Sequence, residues 1–268
     1  VTTTSLRVAA GQAAAAPGDL DANVRTTARL AALAGDQGVR VLVLPEAFLT
    51  GYEPAVFGGD LPGPADLTGP RLDPVREQAR RTDLTVVVGT ALDRGARRTL
   101  STVVVRPDGE VVVAYDKQHV DLDERAWFEP GDHGASVLVD GVELGLSTCY
   151  DGCFPEHARA ASDAGALGYL CSAAYFPGGA HRRDLYYAAR ALDNGFYVVL
   201  SGLTGRCGDS SFIGGSAVYD PEGRPLARLG EEEGLAVAEL DPGLVLATRE
   251  RHRMHHDHRG DLGTRVRV

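Results

Sequence analysis

The chain reads as an α/β protein. Strand-like and helical patterns alternate along it, several of the strand-like runs are apolar enough to be buried, and ionisable residues stand where three of those runs end. Residues 5–12 read as the first strand. Residues 21–34 read as a helix because Val24, Ala28, Ala31 and Ala34 recur at helical spacing, with Asp21 as the expected N-cap and Gly38 as the terminator. A strand ending at Leu44, a helix over 72–81 and strands around Val86, Thr102 and Val112 follow, with the Gly/Pro-rich stretch 58–64 as a surface loop. Then come a strand over 142–148, a helix over 155–164, a strand over 166–172, a helix over 184–194 and a strand over 196–201. Residues 216–229 read as a hairpin turning at Asp220-Pro-Glu-Gly223, and 235–240 closes the sheet. No break in composition and no internal repeat divides the 268 residues, so 1–268 reads as one domain. Pattern alone gives a layered α/β domain.

The net charge of −10, from 27 Lys+Arg against 37 Asp+Glu, leaves no basic face for phosphates and argues against a nucleic-acid partner. No apolar run approaches the roughly 20 residues that cross a bilayer, so no membrane partner is expected. The first five residues lack the charged and apolar regions of a signal peptide, and the expected location is the cytoplasm. Cys149, Cys153, Cys171 and Cys207 are too few and too scattered for a disulfide framework and are expected to be reduced, with Cys153 as packing. His252, His255, His256 and His258 crowd near the C-terminus, but among arginines in a polar tail, and no metal site is expected there. Glu231-Glu-Glu233 reads as a solvated turn, and residues 204–215 lack the Gly-Lys-Ser/Thr of a phosphate loop.

Chemistry enters at Gly145-Leu-Ser-Thr-Cys149-Tyr-Asp-Gly-Cys-Phe-Pro-Glu156, an apolar strand that turns sharply toward a helix opening at Pro155. A thiol there is expected near a helix N-terminus, where unpaired N–H groups and the dipole favour thiolate. One such cysteine is more often a small buried hydrophobe. Two further strand ends shift the balance: Glu46 follows Val41-Leu-Val-Leu-Pro45, and Lys117 follows Val111-Val-Val-Ala-Tyr-Asp116.

Leu44-Pro-Glu46-Ala-Phe-Leu-Thr-Gly-Tyr52, Tyr115-Asp-Lys117-Gln-His119 and Cys149-Tyr-Asp-Gly-Cys-Phe-Pro-Glu156, in that order, resemble the nitrilase superfamily of carbon–nitrogen hydrolases. Arg190-Ala-Leu-Asp-Asn194, and Gly214-Gly-Ser216 with the 220–223 turn, resemble later segments of that family, so the likeness runs nearly the full length. It implies a four-layer αββα sandwich, two sheets face to face with helices outside. It further implies pairing into a homodimer or a higher homo-oligomer, and 249–268 would be a C-terminal extension that could reach the dimer interface.

The resemblance also implies catalysis without cofactor or metal. Cys149 would attack the substrate carbonyl, Glu46 would move the protons, and Lys117 with the backbone N–H of Tyr150 would stabilise the oxyanion. Glu124, in Glu124-Arg-Ala-Trp-Phe-Glu-Pro-Gly131, resembles the family's second glutamate and would orient Lys117, with Glu129 a competing assignment. His119 would hold its loop by hydrogen bonds beside the site, and Tyr52 and Ser172 would contact substrate.

Tyr150-Asp151 after the cysteine looks like the amide- and carbamoyl-hydrolysing branches, where nitrile-cleaving members usually carry Trp-Glu. The expected substrate is therefore a small linear amide or N-carbamoyl compound, cleaved to acid and ammonia through a thioester. A nitrilase or an amide-forming acyltransferase is the alternative. An idle scaffold is disfavoured because Glu46, Lys117 and Cys149 are all present. Arg182-Arg183 stands where many amidase relatives have His-Trp, Asp193 replaces the usual glutamate, and a usual asparagine is replaced near Gly202. Arg182 or Arg183 could pair with a substrate carboxylate, or simply face solvent at a helix start.

Overall fold

A computed structural model of the chain describes residues 4–267. Residues 1–3, which belong to the stretch read for a signal peptide, and Val268, the end of the C-terminal extension, lie outside the described residues. The chain runs through β1 (Leu6–Gln12), α1 (Leu20–Asp36), β2 (Val41–Val43), α2 (Pro54–Phe57), α3 (Pro64–Thr68), α4 (Asp73–Thr82), β3 (Thr85–Asp93), β4 (Arg98–Val105) and β5 (Val111–Asp116). It continues through β6 (Ser136–Val139), β7 (Val142–Thr148), α5 (Pro155–Asp163), β8 (Gly168–Ala173), α6 (Ala180–Asn194), β9 (Tyr197–Gly202), β10 (Thr204–Cys207) and β11 (Ser210–Ile213). β12 (Ala217–Tyr219), β13 (Pro225–Arg228), β14 (Gly234–Leu240) and α7 (Pro242–His252) complete it.

Two six-stranded sheets form, in the orders β14-β1-β2-β3-β4-β5 and β13-β12-β9-β8-β7-β6. Each has a parallel trio at its centre, β1-β2-β3 in one and β7-β8-β9 in the other, flanked by antiparallel strands. The central strands are buried on both faces, and period-two alternation splits each run between two cores. Ala9, Leu42, Leu44, Val86 and Val88 pack with Leu30, Ala31, Val75 and Ala79 of α1 and α4. Val8, Val41, Val43 and Val87 point the other way and meet Leu146, Leu170, Val199 and Val218 of the second sheet. Ala158 of α5 and Tyr187 and Ala191 of α6 cover that sheet's far side. The layers are therefore helix, sheet, sheet, helix: the αββα sandwich.

Several boundaries differ from the sequence reading. Asp19, not Asp21, caps α1, its Oδ1 accepting from the Ala22 N–H at 2.9 Å, because the helix already begins at Leu20. Asp21 lies in the first turn and pairs with Arg71 at 3.0 Å. Gly38 does end the helix, at φ +71. The helix read as 184–194 starts four residues earlier, at Ala180. The short elements β6, β10, β11, α2 and α3 carry too few residues to show a period. α7 escaped for another reason: Leu244 and Leu246 stay exposed beside buried Val245, so no one-sided stripe forms. Arg249, the first residue assigned to the extension, belongs to α7. Its guanidinium donates to the carbonyls of Asn194 and Ala166 and to Ser162 Oγ at 2.9–3.0 Å.

Candidate active site

Glu46, Lys117 and Cys149 each follow the last residues of a strand, β2, β5 and β7. The turn carrying Glu46 lies flat on β3, with the Gly89 N–H donating to Pro45 O at 3.0 Å. A Cβ at Gly89 would stand 2.5 Å from that oxygen and 2.7 Å from the Glu46 Cα, so only glycine allows the approach. Cys149 opens a 3-10 turn, Cys149–Cys153, at φ +43, a left-handed conformation that costs a non-glycine residue free energy.

The Lys117 ammonium donates to Glu46 Oε1 and to both oxygens of Glu124, each at 2.7 Å, with all three side chains almost wholly buried. Glu124 is fixed in turn by the Tyr52 hydroxyl at 2.7 Å and the Asp121 N–H at 2.8 Å. Glu129, the competing assignment, is exposed, so the burial that keeps such a pair strong belongs to Glu124. Two carboxylates around one ammonium leave an excess of negative charge. Burial raises the Glu46 carboxyl to about 7, with Lys117 opposing and Glu124 adding to the rise. Lys117 stays charged, because the two carboxylates outweigh its desolvation. Glu46 Oε2 is buried without a hydrogen-bond partner, the free acceptor of the cluster.

The expectation that a helix end makes Cys149 a thiolate is not met. α5 begins only at Pro155, six residues on, and burial together with the Glu46 charge pushes the Cys149 thiol well up. The resting group is a thiol beside a carboxylate of raised basicity, and its Sγ lies 3.7 Å from Ala174 O. Deprotonation in this arrangement needs an acceptor, and Glu46 is the buried carboxylate beside it.

Asp151 joins the lysine loop to the cysteine turn. Its Oδ1 accepts from the His119 N–H at 2.8 Å and lies 2.9 Å from the ring Nδ1, while Oδ2 accepts from the Thr148 N–H at 2.9 Å and the Tyr115 hydroxyl at 2.7 Å. His157, held neutral by burial, bridges Tyr115 and Tyr169 behind it. From α6 the Tyr187 hydroxyl donates to Cys149 O at 2.9 Å and Arg190 Nε to Gly152 O at 3.0 Å. Asp193, shorter than the glutamate usual in that motif, still reaches Arg190 at 2.8 Å. An asparagine at 151 has one acceptor oxygen, so it must turn its amide donors toward either Thr148 or His119. Asp151→Asn is expected to lower kcat about 10-fold to 100-fold, from roughly 1–3 kcal/mol of lost hydrogen bonding, with KM nearly unchanged. Steady-state rates well below the variant's Tm check this.

A cleft of about 640 Å³ opens over the cysteine. Tyr52, Lys117, Glu124, Cys149, Tyr150 and Arg182 line it, with Glu46 bound to Lys117. Three residues expected at the pocket lie elsewhere. His119 turns away, stacked on Phe154 at 3.9 Å and tied to Asp151. Ser172 is buried in β8 outside the lining, its hydroxyl unpartnered. Arg183 is buried and donates to Gly214 O and Asp184 at 2.8 Å, since one residue along a helix rotates a side chain by about 100°. Arg182 alone of the pair reaches the cleft, whose lining also holds Asp121 and Asp123. Cys153, read as packing, is half-buried in the cleft wall, 3.9 Å from the Tyr175 hydroxyl. The reading missed Asp151 and the aromatic wall; the position of Asp151 two residues after the cysteine was the one available signal. Among the described residues no cluster of three or more His, Cys, Asp or Glu side chains is placed to hold a metal ion.

The carbon-nitrogen hydrolase family matches over residues 7–250. An (R)-stereoselective amidase of a Pseudomonas species is 36% identical over 243 residues, covering 89% of this chain and 86% of that protein. The 2-oxoglutaramate amidase of Bacillus subtilis (strain 168) is 32% identical over 227 residues, 83% of this chain and 86% of its own length. Among solved structures, an amidase from Nesterenkonia sp. AN1 superposes with a TM-score of 0.81 at 30% identity, covering 94% of this chain and 97% of the other. That variant carries the acetamide moiety of fluoroacetamide covalently on its active-site cysteine. With this fold, these relatives and a half-buried thiol beside a paired glutamate and lysine, the chain belongs to the carbon–nitrogen hydrolases of the nitrilase superfamily, as a cysteine-dependent enzyme that hydrolyses amides.

Proposed function

We propose that Cys149, Glu46, Lys117 and Glu124 convert a linear amide and water to a carboxylic acid and ammonia. The observation that carries this reading is the Lys117 ammonium held at 2.7 Å from both Glu46 and Glu124 in the cleft wall that also carries Cys149. Glu46 takes the thiol proton as Cys149 Sγ bonds to the carbonyl carbon. Lys117 Nζ and the Tyr150 N–H meet the developing oxyanion, and being fixed in advance they need no reorganisation. The tetrahedral adduct collapses to a thioester as Glu46 gives its proton to the departing nitrogen. Glu46, again a carboxylate, then takes a proton from water, whose oxygen attacks the thioester; collapse of that adduct frees the acid as Glu46 returns the proton to the departing Cys149 sulfur. Glu124 acts through Lys117, holding its position and charge.

Ammonia release from short amides, N-carbamoyl amines and nitriles tests the substrate class. Turnover confined to amides and carbamoyl compounds is expected; turnover of nitriles alone would replace this reading with a nitrilase. The proposed working form is a cytoplasmic homodimer. All four cysteines are free, as a reducing compartment would keep them, and no helix among the described residues is long and apolar enough to cross a membrane. Leu185 and Leu192 on α6 and Leu246 on α7 are 60%, 42% and 47% exposed and offer apolar surface for a second copy. Light scattering on the eluted protein would reject the dimer if it returned the 28.3 kDa of one chain.

A further inference from the structure

The chain is poor in aromatic residues, at 6%, yet it concentrates them at one place. Of nine Tyr, seven Phe and one Trp, seven line the catalytic cleft. Four of the seven form a connected wall. Tyr52, whose hydroxyl holds Glu124, meets Phe57 edge-on at 5.1 Å and Phe176 at 5.9 Å, and Phe57 meets Trp127 at 5.9 Å. Phe212 supports Phe176 from behind at 5.0 Å. Packing does not use up this surface: Phe176 remains 45% exposed and Trp127, Tyr175 and Tyr186 are half-buried.

An apolar surface left open inside a cleft and continuous with the reacting atoms is what binds an apolar part of a ligand. A two- or three-carbon amide would occupy only the end beside Cys149, while the 640 Å³ cleft is of the size that holds a drug-sized molecule. Charge gives no competing selection, because Arg182 shares the lining with Asp121 and Asp123. Resting on the amidase reading above, we propose that the preferred substrates are amides whose acyl chain ends in an aryl or comparably bulky apolar group, selected by Phe176 and Trp127. The aryl ring would lie on the face or edge of these side chains, as aromatic pairs do.

The test compares kcat/KM for propionamide and 3-phenylpropionamide by ammonia release, in the native enzyme and in Phe176→Ala and Trp127→Ala. Burying a phenyl group on this wall is expected to favour the phenyl compound about 10-fold to 100-fold. Each substitution is expected to shrink that ratio at least about 5-fold, since it removes a large part of the contact. A phenyl compound no better than propionamide overturns the proposal, as does a ratio unchanged in both variants. Turnover of propionamide without a phenyl advantage leaves the amidase reading standing and removes only this inference. Turnover of neither removes both.

Discussion

Cys149→Ala is expected to lower kcat at least about 10,000-fold, because without Sγ there is no thioester and the difficult displacement must occur in one step. In free energy that is about 5.5 kcal/mol of barrier, far beyond any packing effect of one removed atom. Stability should change little. The backbone of the turn is held from outside the side chain, by Asp151 on the Thr148 N–H, by Tyr187 on the residue's own carbonyl and by Arg190 on Gly152 O. Alanine fills nearly the same volume, so a Tm within about 4 °C of the native value is expected for a domain of this size. Calorimetry beside the rate assay separates the two effects. A folded variant that keeps more than about 1% of native kcat would mean that another group is the nucleophile.

Glu46→Gln is expected to cost about 100-fold to 10,000-fold in kcat, the range for removing a positioned general base. The amide preserves shape and can still accept from Lys117, so the loss would report proton transfer rather than collapse of the site. The pH profile sharpens this. Burial holds the Glu46 carboxyl up at about 7, against an ordinary value of 4.5, and only the carboxylate can take the Cys149 proton. Native kcat/KM should therefore rise with pH through an inflection near 7, and Glu46→Gln should lose that limb. Alkylation of Cys149 by iodoacetamide should slow in the variant as well, because burial keeps the sulfur a thiol and the variant lacks the carboxylate that takes its proton. A variant within 10-fold of native kcat, or one that keeps the inflection, would transfer the base to another residue.

Much of the site was legible because it is written locally. Glu46, Lys117 and Cys149 each end an apolar strand, and strand runs declare themselves within five or six residues. Glu124 stood out through its own motif, and its choice over Glu129 needed only burial to decide. The arginines were different. Arg182 and Arg183 are neighbours of one type at the start of α6, and no local pattern says which faces the cleft. The helix phase decides, and that phase is set where Tyr187 and Ala191 pack on the second sheet. The thiolate expectation failed for a related reason. A helix end is a local feature, whereas the desolvation and the Glu46 charge that raise the Cys149 thiol arrive from a strand a hundred residues away.

By itself the sequence determined the strands and main helices, the order of the three strand-end motifs and, through them, the family and the kind of bond cleaved. These are properties of short windows, fixed by side-chain periodicity and by residues adjacent along the chain. The tertiary structure alone decided that Lys117 lies between two glutamates 71 and 7 residues distant. It alone also set the thiol beside Glu46, let Asp151 tie two loops together, and gathered aromatics from residues 52–57, 127, 150 and 175–186 around one cleft. Ionisation and substrate fit depend on distance and burial, quantities that exist only once the two sheets have closed on each other.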